Sequence, residues 1–187
     1  MNRLVASVGT ETRLFEPDPT FNPLNASDQG WESVMPMGGG FVTIQDWQGK
    51  DLPKPIHSRG KDLYSISVFH QLHCLHMLAE EFSNLLEGRT MGGTAMKQAT
   101  HRRHGSSMEE EMDKDLMMWH IGHCFDYLKS SLTCCADTAL EGQKSDTEEP
   151  ATDGFGARHV CRNFDQVYQW AETHRASDQT GYPHGTA

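Results

Sequence analysis

The pentapeptide His70-Gln71-Leu72-His73-Cys74 returns fifty residues later as His120-Ile121-Gly122-His123-Cys124. On a helix, the two histidines and the cysteine of each copy fall at i, i+3 and i+4 and so share one face. A fold that sets the two faces together gathers four imidazoles and two thiols in one cleft, enough for one or two transition-metal ions. The chain must therefore build two long helices and then find something to cover each of them on more than one side.

The hydrophobic pattern supplies those helices. Val68, Leu72, Leu75, Ala79, Phe82 and Leu86 recur at four-three spacing and predict a helix from about Asp62 to Leu86, closed by Gly88. His70, His73, Cys74 and Met77 lie off that stripe. Met118, Ile121, Phe125, Leu128 and Leu132 form the stripe of a second helix over about Ser107 to Cys134, with Ser107 and Glu110 as a capping box. Leu116, His120, His123, Cys124 and Tyr127 take another of its faces. Core histidines would sit inside the stripes; these sit outside them, as a set.

The rest of the chain is lighter. Residues 1–30 read as an extended arm, because Pro17, Pro19 and Pro23 interrupt any helix. Gly38-Gly39-Gly40 reads as a turn rather than a phosphate loop, since the Lys and the following helix of such loops are missing. Phe41 to Ile44 is a strand candidate, and residues 51–60 a loop. Residues 88–108 form a further loop, a candidate substrate lid, in which His101 and His104 read as solvated. Residues 142–158 are a polar loop, a short helix lies around Phe164 to Ala171, and Ser177 to Ala187 reads as a disordered tail. The expected fold is mainly α: two long motif-bearing helices packed with shorter ones, a few short N-terminal strands, and disulfide staples. One domain over residues 31–172 follows the arm, with a flexible tail over 173–187.

Twenty-six acidic against sixteen basic residues give a net charge of -10, which excludes a nucleic-acid role built on phosphate neutralisation. No apolar run reaches the roughly 20 residues of a membrane span, and Met1 to Thr10 does not read as a signal peptide. Asn25-Ala26-Ser27 is a glycosylation sequon that leans weakly toward the secretory pathway.

The donor set points to a metal. Imidazole suits copper, zinc, iron and nickel, and thiolate adds affinity for Cu(I) and zinc. No carboxylate lies within either motif, which disfavours non-haem iron and carboxylate-bridged di-iron sites. Copper is the leading choice and zinc the second. Cys74 and Cys124 are open to two fates, as metal ligands or as a disulfide between the helices. Cys134 and Cys161 flank the polar loop and suggest a second staple, worth roughly 3–4 kcal/mol in the chain-entropy model; Cys135 is then the odd thiol. His159 is a candidate extra ligand or proton carrier. Asp137 and Glu141 are candidates for orienting ligand imidazoles, beside the plainer reading of helix-end carboxylates. Tyr127 is either redox-active or simple wall.

Taken together, Phe69 to Leu75, His120-x-x-His123-Cys124-x-Asp126-Tyr127-Leu128-Lys129, Cys134-x-Ala136-Asp137 and His159-x-Cys161-Arg162 resemble the fungal UstYa-type oxidases, over roughly residues 30 to 172. The resemblance extends to Trp31 and the Gly38–Gly40 turn; Lys129 stands where Arg is common. It implies a copper-dependent enzyme that tailors a secondary metabolite or ribosomal peptide by oxidative cyclisation, hydroxylation, dehydrogenation or halogenation. His70, His73, His120 and His123 would be the catalytic metal residues, with Cys74 and Cys124 completing the motifs. The expected partners are a small-molecule or peptide natural product, O₂, and a second copy or a paralogue in a dimer. The family's usual membrane helix, absent from this sequence, implies a membrane or secretory-lumen setting for its relatives. Two alternatives stand beside this reading: a redox-silent cyclase or dehydratase using histidine acid–base pairs, and a non-catalytic metal-stapled partner domain.

Overall fold

A computed structural model describes residues 8–21, 28–88, 108–144 and 147–175. Among them are four helices, α1 (Asp28–Ser33), α2 (Ser67–Leu86), α3 (Met108–Cys135) and α4 (Phe164–Thr173), and four short strands, β1 (Phe41–Val42), β2 (Ile56–Ser58), β3 (Lys61–Ile66) and β4 (Leu140–Glu141). The architecture is helix-leaning with a small antiparallel sheet. The loop expected over 88–108, the sequon at Asn25 and the tail from Ser177 fall, apart from the ends of that loop, outside the described residues.

α2 starts at Ser67, not at Asp62, because the residues before it are the central strand of the sheet. β3 pairs antiparallel with all three other strands: Phe41 opposite Ser65, Ile56 opposite Leu63, and both Leu140 opposite Ile66 and Glu141 opposite Ser65. The expected 51–60 loop therefore holds β2. It returns into β3 through Arg59-Gly60, whose φ values of 49° and 73° give the left-handed pair that a two-residue hairpin needs.

α2 and α3 pack through the predicted stripes. Leu75 and Ala79 are buried with Phe21 and Trp31, and Phe125, Leu132 and Val34 pack against them. Phe21 and Trp31 meet edge to face at 5.2 Å. The arm is thus not free: Phe21 closes the core, and the backbone N–H of Asp18 donates to Asp126 Oδ2 at 2.7 Å. On α3 that contact buries Asp126 and Lys129, a polar face that the hydrophobic pattern had left to solvent. α4 contributes no buried residue.

Tyr64, at 0% exposure, anchors the sheet; its hydroxyl donates to the Pro53 carbonyl at 2.8 Å. Burial, with a smaller push from Asp62, raises its phenol from 10.0 to about 12. The folded state holds the neutral phenol more firmly than the unfolded chain does. That stability is complete below pH 10 and is lost as pH rises through about 12. Tyr64→Phe should cost about 1–2 kcal/mol at neutral pH, for the unpaired carbonyl. It should also lose less than the parent between neutral and strongly alkaline buffer, as read by thermal melts. An equal alkaline loss in both proteins would refute the role of this phenol.

Candidate functional site

The first motif is held from outside its own helix. α2 has no side-chain cap at its N-terminus. Its first-turn amides instead donate to the segment that follows α3: Ser67 N to Ala139 O at 2.9 Å and Val68 N to Asp137 O at 3.0 Å. Ala136, with φ at 42°, is the left-handed residue that ends α3 and turns the chain back toward α2. This turn leads into β4 and brings two carboxylates to the histidines.

Glu141 is 2% exposed, and its Oε2 stands 2.5 Å from His70 Nδ1. Asp137 Oδ2 stands 2.7 Å from His159 Nδ1, and its Oδ1 accepts the Ala139 amide at 3.0 Å. Gln71 reaches the same Oδ2 at 3.5 Å. Loop 151–156 covers the first of these pairs: Gly154, at φ 81°, passes so close that an added Cβ would lie 3.6 Å from Glu141 Oε1 and 3.8 Å from His70 Nδ1. The side chain of Gln143 ties this region together, donating to the carbonyls of Thr147 and Glu149 at 3.0 and 2.7 Å.

His70 and His73 line one cleft of about 380 Å³, with Met35, Phe41, Phe69 and Thr152 as further wall. His73 itself is exposed, as is Cys74. His76, one turn on, stacks on Trp31 at 5.1 Å and belongs to the packing.

The second motif lines a different cleft, of about 190 Å³, between α3 and the arm at Pro17, Asp18 and Pro19. His120 and His123 are exposed, their rings edge to face at 6.4 Å. His123 lies between Trp119 and Tyr127, at 5.6 and 6.1 Å, and Phe15 of the arm meets Tyr127 at 6.1 Å. Asp18, across this cleft, keeps its carboxyl below the ordinary value because the Thr20 hydroxyl donates to it at 2.6 Å. A carboxylate charge therefore persists beside His123.

The structure thus places the four motif histidines in two clefts rather than one. Among the described residues, no three of His, Cys, Asp and Glu come together around a single metal position. The donor chemistry suits copper, but the closed shell is not assembled; what stands here is two half-sites. The cysteines correct a further expectation. All five are unpaired, so neither the Cys74–Cys124 nor the Cys134–Cys161 staple is formed. The segments that the second staple was to join do meet, through the hydrogen bond from His159 to Asp137. Sequence reasoning named Glu141 only in passing; its mark was a carboxylate beside Leu140 just after the second motif, too ordinary a pattern to single out.

No helix among the described residues is long and apolar enough to cross a membrane. No solved structure matches the chain. Among proteins of known name, it is similar to oxidase ustYb of Aspergillus flavus, 38% identical over 95% of this chain and 71% of the relative. It is also similar to oxidase ustYa of that fungus, 31% identical over 82% of this chain and 62% of the relative. Hydroxylase cctR of Talaromyces islandicus is 22% identical over 94% of this chain and 61% of the relative. The chain thus spans only part of the length of each of these proteins. Residues 10–174 match the family model described as mycotoxin biosynthesis protein UstYa, and the chain belongs to that family.

Proposed function

We propose that this protein is an oxidoreductase that tailors a secondary metabolite or a ribosomal peptide. The observation that carries the reading is the cleft at His70 and His73: an imidazole pair set in a largely apolar recess, in a family whose named members are oxidases and a hydroxylase. A recess of this kind suits an apolar or aromatic group of the substrate, held against the histidines with little water.

On donor chemistry alone, the metal proposed is copper, with zinc second. His70, His73, His120 and His123 would hold it, with Cys74, Cys124 and His159 as further candidates. Bound copper would supply one-electron oxidation with O₂ as the terminal acceptor. The chain's own part is separate from that chemistry. Phe41, Phe69 and Met35 orient the substrate by contact, loop 151–156 keeps water from the His70–Glu141 pair, and Glu141 holds the ring.

Purified protein reconstituted with copper should carry about one or two ions per chain by elemental analysis, as the paired half-sites allow. The Cu(II) resonance should be lost on ascorbate reduction and weakened in both His73→Ala and His120→Ala. Zinc alone, or no uptake of copper, would overturn the redox reading. A second reading, a cyclase or dehydratase without redox chemistry, is favoured by the His70–Glu141 pair, which has the form of a carboxylate-backed general base. Turnover that persists when oxygen is removed would select it.

A further inference from the structure

His70 and His159 come from distant parts of the chain, yet they are bound in the same way. Each offers Nδ1 to a carboxylate oxygen, and both carboxylates come from the short segment 137–141. A carboxylate accepts and does not donate, so a neutral imidazole in such a contact carries its proton on Nδ1 and leaves a lone pair on Nε2. Free histidine prefers the opposite tautomer. We infer that Glu141 and Asp137 are positioning residues that lock His70 and His159 as Nδ1–H tautomers, presenting Nε2 of each ring for chemistry.

Three features make the lock firm. The segment cannot drift from His70, because its carbonyls at 137 and 139 accept the first-turn amides of the helix that carries His70. Glu141 is fixed a second time by its register opposite Ser65 in the sheet. Asp137 is fixed by the Ala139 amide on its other oxygen, so its Oδ2 is aimed rather than free to rotate. Both rings are therefore oriented from behind by groups that do not touch a substrate. A free Nε2 serves a metal or a proton transfer equally well, so the inference deepens the proposed site without depending on copper.

The test is the tautomer itself. In ¹⁵N-histidine-labelled protein without added metal, in mildly alkaline buffer, long-range ¹H–¹⁵N spectra report which ring nitrogen is protonated. His70→Gln and His159→Gln assign the two rings. The expected result is a protonated Nδ1 and a bare Nε2 in both. Glu141→Gln should return His70 toward a mixture or the Nε2–H form while leaving His159 unchanged, and Asp137→Asn should do the converse; circular dichroism checks that the fold survives. An Nε2–H tautomer for either ring in the parent protein overturns the inference, whether or not the variants fold. So does an unchanged Nδ1–H ring in a folded variant that lacks its carboxylate. Since no metal and no turnover enter the measurement, a failed copper reconstitution and a failed lock give different results.

Discussion

Lys129→Ala should cost about 3–5 kcal/mol, because it leaves a carboxylate buried without its counter-charge. The Lys129 ammonium stands 3.0 Å from Asp126 Oδ1, and the two side chains are 11% and 12% exposed. The contact is an ion pair without hydrogen-bond geometry to Oδ1, since the same ammonium also lies 4.0 Å from the centre of the Phe21 ring. Removing it therefore takes away both the charge that balances Asp126 and the cation over an aromatic ring of the core. The arm should loosen too, because Asp126 is also the acceptor for the Asp18 amide. In a chain of this length the loss should appear as a fall in melting temperature of roughly 6–20 °C. Lys129→Met combined with Asp126→Asn, which removes both charges and keeps an acceptor oxygen, should recover most of it. A double variant as unstable as Lys129→Ala would mean that the ion pair is not the source of the effect.

Gly142→Ala should be of similar size for a different reason. A Cβ on this buried glycine would run into the Lys54 carbonyl oxygen and lie 3.0 Å from Pro53 Cγ. Both sides of the clash are backbone, and the Gln143 amide pins them together by donating to the same Lys54 carbonyl at 2.8 Å. No rotamer change relieves it, so the strands must part, at a cost of about 3 kcal/mol. The variant should also lose the His70–Glu141 contact, because Glu141 is the next residue. Thermal melts and the His70 ring spectrum read the two losses on one sample. A variant that melts with the parent would show that the sheet tolerates a shift here.

What could be read from the sequence was whatever repeats within one helix. Val68, Leu72, Leu75 and Ala79 announce their burial by a period of 3.6, and all four are buried. β3 was absorbed into the helix because Leu63 and Ile66 extend the same spacing, and because Arg59-Gly60 lacks the usual hairpin signature of Asn or Asp before Gly. The buried face of α3 was invisible for a simpler reason. Asp126 and Lys129 are charged, and their partner in the arm lies 108 residues away. Period reports which face an element buries against an apolar layer; it is silent on polar faces closed by a distant strand or arm. Glu141 and His70, 71 residues apart, fall under the same silence. With the cysteines, the sequence joined the two segments that do meet but chose the thiols, where the structure uses an imidazole and a carboxylate.

The capping of α2 by carbonyls of residues 137 and 139 bears on the order in which the protein is made. A ribosome delivers both copies of the motif by Cys135, and a nascent chain stopped there would hold every motif residue. It would still have no ordered first site. The donors at the start of α2 would face water, His70 would turn freely, and the sheet would lack β4. Only the next few residues, emerging last, close the helix end, seat the fourth strand and clamp the ring in one step. The site is in this sense sealed by late arrival, so that reactive imidazoles stay unorganised until the chain around them is nearly complete.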